Sequence, residues 1–318
     1  MEHPVNISRR KPPRLSPGGT IAVTAPASPV RDPERLRRGL QYVESHGYHL
    51  RLGESLNTAD GYLAGPDRAR ADELNRFFAD PEVEAIFCVR GGYGTMRLLE
   101  LLDWDTIRRN PKIVVGFSDI TALQWALIQY AGLPSISGPM VSVDFAEPEP
   151  QQFSLFWSLL SEPDVKGILW NGKPGDQLTS GFAEGLLLPG TLSLSAALCG
   201  TPYQPMSDEP YILLLEDIGE EPYRIDRMLC QLLLSGVLRN AAGIAFGAFT
   251  TDTTRSSSTP TRPLEIIFME YVTKAGNIPS VMNVPYGHVR EKLCMPVGLR
   301  VQLDADHQNL VLAESFVE

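Results

Sequence analysis

The sequence predicts an α/β protein in two parts, a mainly parallel sheet covered by helices followed by a second part of strands and helices that ends in an antiparallel pattern. Three observations predict it. From Thr20 to about Pro139, short apolar runs alternate with amphipathic stretches, the βαβα order of a mainly parallel sheet. The chain closes on Leu299-Val301-Leu303 and Leu310-Val311-Leu312, an alternation typical of antiparallel strands. Its 318 residues exceed one ordinary core and suit two domains, which implies a cleft.

In order, Thr20 to Thr24 reads as the first strand, and Pro33 to Ser45 as the first helix with Leu36, Leu40 and Val43 at helical spacing. Asp67 to Phe78 makes a second helix, and Ala85 to Val89 and Ile113 to Val115 make strands. These strands run into loops of small or polar residues: Ala25-Pro26-Ala27-Ser28, Arg90-Gly91-Gly92-Tyr93-Gly94 and Gly116-Phe117-Ser118-Asp119. Ligands of open α/β sheets bind beyond the carboxyl ends of the strands, so the three loops should share one rim. Order weakens between Phe145 and Gly181, with Glu147-Pro148-Glu149-Pro150 as a break, a helix from about Gln151 to Leu160, and a Gly/Pro stretch from Asn171 to Gly175. This is the expected linker. The second half resumes at Gly185 to Leu188, with helices at Ser193 to Cys199 and Tyr223 to Ser235, and apolar runs at Tyr211 to Leu215 and Ile244 to Phe246. Thr250 to Thr261 is a polar Ser/Thr run expected as a mobile surface loop.

Composition narrows the function classes. With 43% apolar and 21% charged residues the chain reads as soluble, and no apolar run reaches the roughly 20 residues of a membrane span. Met1 to Pro17 carries Ser8-Arg9-Arg10-Lys11 but no signal-length apolar stretch, so it is expected as a disordered lead-in to a cytoplasmic protein. A net charge of −10 argues against nucleic acid as a partner. Cys88, Cys199, Cys230 and Cys294 match no zinc or disulfide spacing and are expected as buried free thiols. No metal and no cofactor is implied.

The Ile113-Val114-Val115-Gly116-Phe117-Ser118-Asp119 run delivers a serine at a sharp strand-to-helix junction, close to N–H groups that the helix cannot satisfy. That is the setting of a nucleophile, although Ile120 replaces the second glycine of G-x-S-x-G, and a serine before a helix is also the usual N-cap. A hydroxyl needs a base. Of five histidines, His3, His46, His49 and His307 read as surface residues, whereas Val284-Pro285-Tyr286-Gly287-His288 sets His288 on a loop with a permissive glycine. The base needs an acceptor, and Leu213-Leu214-Leu215 delivers Glu216 at the end of a buried strand, with Asp217 its rival and a salt bridge to Arg224 or Arg227 the structural alternative. Arg90-Gly91-Gly92-Tyr93-Gly94 and the Asp119 amide could supply oxyanion donors; the glycines lack both the G-x-G-x-x-G order and a Walker lysine. For a free carboxylate, Arg90 and Arg224 adjoin the candidate loops. A non-enzymatic cleft-type binding module is the competing class.

The strings Val89 to Gly94 with Arg97-Leu98-Leu99, Gly116 to Asp119, Ser137-Gly138-Pro139-Met140, Leu215 to Ile218, Pro222 to Leu229 and Gly287-His288 together resemble the LD-carboxypeptidase family of serine peptidases. The resemblance runs from about Gly19 to the C-terminus. It implies a flavodoxin-like parallel-sheet domain over 14–145 carrying the nucleophile, a linker over 146–181, and a smaller, β-rich α/β C-terminal domain over 182–318 carrying the other two residues. It further implies a Ser118-Glu216-His288 triad, Gly92 and Asp119 amides as oxyanion donors, and a homodimer. Members of the family release terminal D-alanine from cytoplasmic murein tetrapeptides. A sister branch, the microcin C self-immunity hydrolases, cleaves an aminoacyl or peptidyl amide from a nucleotide-like group. Pro189-Gly190-Thr191-Leu192 departs from the Gly-Gly-Asn-Leu turn of many members, which bears on pocket shape.

Overall fold

A computed structural model describes residues 8–149, 153–205, 209–250 and 262–318. The chain divides into two compact units, one over residues 2–165 joined by 315–318, the other over 166–314.

In the first unit, β1 (Thr20–Thr24), β2 (His49–Leu52), β3 (Val83–Cys88), β4 (Ile113–Gly116) and β5 (Ser135–Ser137) pair in the order β5-β4-β3-β1-β2. Every one of these pairings is parallel, and 2-1-3-4-5 is the order of flavodoxin-like sheets. The strand interiors are apolar because helices cover both faces: Ile21, Val23, Ile86, Phe87, Val114 and Val115 are fully buried. The covering helices are α1 (Pro33–Ser45), α2 (Asp67–Ala79), α3 (Trp104–Arg109), α4 (Thr121–Ala131) and α5 (Ser154–Ser161). Local chemistry fixes their ends. Asp32 caps α1 by accepting the Glu34 and Arg35 amides at 2.9 and 3.2 Å, with Pro33 in the first turn, and α4 stops at Gly132 in the left-handed region (φ 62°).

The second unit builds an eight-stranded sheet from β6 (Gly167–Asn171), β7 (Gln177–Thr179), β8 (Phe182–Thr191), β9 (Tyr211–Ile218), β10 (Gly243–Thr250) and β11 (Ser280–Val281). After the short β12 (Met295–Val297), β13 (Arg300–Asp304) and β14 (Asn309–Leu312) complete it. The order is β6-β14-β13-β8-β9-β10-β11-β7, parallel from β8 to β11 and antiparallel on both flanks. Helices α6 (Leu192–Leu198), α7 (Pro222–Leu234) and α8 (Leu264–Lys274) complete the unit. Leu213, Leu214 and Leu215 are fully buried at the centre of the parallel part.

Several expectations change. The 146–181 stretch holds ordered elements of both units, α5 in the first and β6 and β7 in the second. Residues 315–318 return to the first unit, where Arg14 N–H donates to Glu318 O at 3.1 Å and Glu318 N–H to Pro12 O at 3.2 Å. The same bonds, with Leu15 buried, make the described part of the lead-in ordered rather than disordered. Its residues 1–7, the start of the helix expected from Gln151, and 251–261 of the Ser/Thr run lie outside the described residues. All four cysteines are free, Cys88 and Cys294 buried and the others half-buried. Among the described residues no helix is long and apolar enough to cross a membrane.

Candidate active site

In the first unit, β4 ends at Gly116, where a Cβ would stand 2.6 Å from Ile120 Cγ2. Ile120 therefore folds back over the strand end, which turns the chain sharply. Ser118 takes a φ of +65°, a left-handed conformation that costs a non-glycine residue roughly 1–2 kcal/mol. It is not a helix N-cap: Phe117 precedes the one-turn Ser118–Ile120 helix and Ile120 precedes α4. The Asp119 amide lies in that first turn, where N–H groups have no intrahelical acceptor.

The glycine-rich loop after β3 is seated against this turn. A Cβ on Gly91 would lie 2.8 Å from Ser118 Cβ and 3.1 Å from Ser118 Oγ, so only glycine admits the approach. Gly92, at φ +116°, is pressed against the Ser28 hydroxyl, which accepts the Tyr93 amide at 3.1 Å and donates to Tyr62 O at 2.8 Å. Further on, the buried Asp119 carboxylate accepts the Thr95 amide at 2.8 Å, and burial pushes its carboxyl above the ordinary range. Arg70, also buried, donates to Gly94 O, Gly65 O and Pro26 O and pairs with Asp67. The loops after β1, β3 and β4 are thus tied together by side chains. The sequence points to the Ser28 loop and to the Asp119 amide; the Asp119 carboxylate that fixes the glycine loop and the buried Arg70 emerge only in the fold.

In the second unit, β9 carries Glu216, fully buried, whose Oε2 lies 2.8 Å from His288 Nδ1. Thr191, the residue paired with Glu216 in the β8–β9 register, donates its hydroxyl to Oε1 at 2.6 Å. Oε1 is thus engaged by the Thr191 hydroxyl and Oε2 by the imidazole, and since a carboxylate oxygen accepts, Nδ1 is the donor of that pair. The approach is close: a Cβ on Gly287, at φ +147°, would stand 3.2 Å from Glu216 Oε2 and 3.0 Å from Ala248 Cβ. Gly247 likewise admits Tyr286 O, which accepts the Ala248 amide at 2.8 Å and anchors the histidine loop to β10. The sequence departure at Pro189 to Leu192 therefore places Thr191 on the Glu216 carboxylate.

Asp217, the rival for the orienting role, points elsewhere. Its Oδ2 accepts the Ser193 amide at the start of α6 and its Oδ1 accepts the Ile218 amide, both at 2.8 Å. Burial, opposed by these bonds and reinforced by the adjacent Glu216, raises its carboxyl from 3.8 to about 6. Between those pH values the folded chain keeps a proton that the unfolded chain has lost, so stability falls as pH rises and levels off above about 6. Thermal midpoints of the wild type should decline across that interval, and the decline should flatten in Asp217→Asn. An unchanged slope in the variant removes Asp217 as its source.

The remaining candidates sort by their contacts. His46 bonds Tyr42 O at 2.8 Å and stacks on Trp157, His49 lies exposed on β2, and His307 pairs with Asp304 on the surface. His3 lies outside the described residues. Arg224, on α7, donates from Nε to Tyr223 Oη at 3.1 Å and faces Glu220 at 3.6 Å. Arg90 follows β3, half-buried, with Nη1 donating to Pro29 O at 3.3 Å.

Residues 21–138 match the LD-carboxypeptidase N-terminal domain and residues 184–303 the LD-carboxypeptidase C-terminal domain. The chain belongs to the LD-carboxypeptidase family. That membership makes it a serine-type carboxypeptidase rather than a binding module. A Bacillus subtilis (strain 168) protein named "Probable murein peptide carboxypeptidase" is 37% identical over 97% of this chain and 96% of its own length. The crystal structure of muramoyltetrapeptide carboxypeptidase from Oxalobacter formigenes is 30% identical, covers 92% of this chain and 97% of its own, and superposes with a TM-score of 0.78. The Escherichia coli microcin C7 self-immunity protein MccF is 26% identical over 95% of each chain.

Proposed function

We propose that this carboxypeptidase hydrolyses the L,D-peptide bond of a murein tetrapeptide and releases terminal D-alanine, with Ser118, His288 and Glu216 as its triad. The observation that carries the reading is the 2.8 Å bond between His288 Nδ1 and the buried Glu216 carboxylate. A carboxylate so placed fixes the imidazole tautomer whose Nε2 can accept a hydroxyl proton. The strained Ser118 turn supports the nucleophile, and the higher identity to the murein peptide relative than to MccF supports the substrate class.

In the proposed reaction Nε2 of His288 takes the Ser118 proton as Oγ attacks the scissile carbonyl. Amides of Gly92 and Asp119 stabilise the oxyanion. The carbon–nitrogen bond then breaks as Nε2 returns the proton to the amine of D-alanine. A water, deprotonated by the same nitrogen, attacks the acyl ester, and the proton passes back to Ser118 Oγ as the shortened peptide leaves. Four free thiols fit a reducing compartment, which supports the cytoplasm as its place of work.

Incubation with L-alanyl-γ-D-glutamyl-meso-diaminopimelyl-D-alanine tests the reading. Free D-alanine is the expected product. Cleavage of an aminoacyl sulfamoyl adenylate with no action on the tetrapeptide would move the enzyme to the microcin branch, and binding without turnover would overturn the hydrolase reading.

A further inference from the structure

An exopeptidase is set apart from an endopeptidase by the group that holds the free carboxylate one residue beyond the scissile bond. Covalent geometry keeps that carboxylate carbon within about 4 Å of the scissile carbonyl carbon. The group that holds it must therefore border the loop beside the nucleophile.

Arg90 does so. The next residue, Gly91, packs directly on Ser118, and Arg90 Nη2 lies 3.8 Å from the position of a Cβ on Gly92. The guanidinium spends only Nη1, on Pro29 O, while Nε is buried and makes no hydrogen bond. What remains is the edge formed by Nε and Nη2, the fork that fits a carboxylate with two parallel bonds. No carboxylate among the described residues pairs with it. Its charged neighbour is instead Arg31, and burial together with that like charge pulls the guanidinium below its ordinary pKa. Two cations beside a half-buried, underused fork are an arrangement completed by an anion. Arg70 on α2 and Arg97 beyond the glycine loop are both committed to Asp67.

We propose that Arg90 binds the terminal carboxylate of the substrate through Nε and Nη2, and so makes the enzyme select free chain ends. The proposal rests on the peptidase reading above and deepens it.

The test compares the tetrapeptide ending in D-alanine with the same peptide ending in D-alaninamide. The wild type should favour the acid by on the order of 100-fold in kcat/KM, as expected for a partly desolvated charge pair. Arg90→Gln should lose that preference, mainly through a raised KM for the acid, while its rate on the amide stays within about threefold. Arg90→Lys should recover part of it, since an ammonium restores the charge without the fork. Unchanged preference in Arg90→Gln, or equal losses on acid and amide, would overturn the anchor while leaving the peptidase reading intact. A wild type that cleaves neither peptide would overturn the peptidase reading itself. Binding of both peptides to Ser118→Ala, with and without Arg90→Gln, reads the anchor without turnover: equal affinity for acid and amide in the single variant would also sink it.

Discussion

Ser118→Ala should lower D-alanine release by on the order of 10⁴-fold or more while the protein folds as before. The hydroxyl is the atom the proposed reaction cannot replace, whereas alanine keeps the Cβ that packs against Gly91. A companion variant separates chemistry from strain. Ser118→Gly should be equally inactive but no less stable, because the left-handed φ of +65° that burdens serine is open to glycine. Stopped assays on the tetrapeptide and thermal midpoints of the three proteins decide it. A purified Ser118→Ala with wild-type turnover ends the nucleophile assignment. A glycine variant well below the wild type in stability would mean that the turn is held by contacts of the serine side chain rather than endured by it.

What the sequence made legible, and what it hid, follows the range of the interactions involved. The Ser118 turn could be read because its causes are local: a buried apolar run, then glycine, then a helical pattern. Glu216 could be read likewise, at the end of Leu213-Leu214-Leu215. Thr191 could not, because its tie to Glu216 depends on the parallel register of β8 with β9, which neither segment encodes alone. The Asp119 carboxylate was hidden for a similar reason, since its partner, the Thr95 amide, sits 24 residues earlier in the chain. Elements were missed where hydrophobic pattern is weakest. The edge strand β2, His49-Leu50-Arg51-Leu52, buries none of its residues fully, and β5 has three residues. The segment expected as linker became β6 and β7 because their partners are remote: β6 pairs with β14 and β7 with β11. Strand pairing across such distances is a property of the folded sheet, and a weak local period is all the sequence needs to supply.

Glu216→Gln should cost about as much in rate as loss of the nucleophile's base, on the order of 10⁴-fold in kcat, with little loss of stability. The side chain is nearly isosteric, and its carbonyl oxygen can still accept the Thr191 hydroxyl that now donates to Oε1 at 2.6 Å. The amide nitrogen then faces His288 Nδ1, where the carboxylate oxygen stands at 2.8 Å. With the amide held in that orientation by the Thr191 hydroxyl, two donors meet at the contact, and the imidazole moves its proton to Nε2 and accepts at Nδ1. A ring protonated at Nε2 has no lone pair for the Ser118 proton, and the reaction stops at its first step. Nitrogen-15 chemical shifts of His288 report the tautomer independently of activity, which distinguishes this cause from a displaced loop. Thr191→Val should be milder, about tenfold, because it frees one carboxylate oxygen without reversing the polarity at Nδ1. Full turnover in Glu216→Gln, or an unaltered tautomer together with lost activity, would withdraw the orienting role from Glu216 and leave the 2.8 Å bond a structural one.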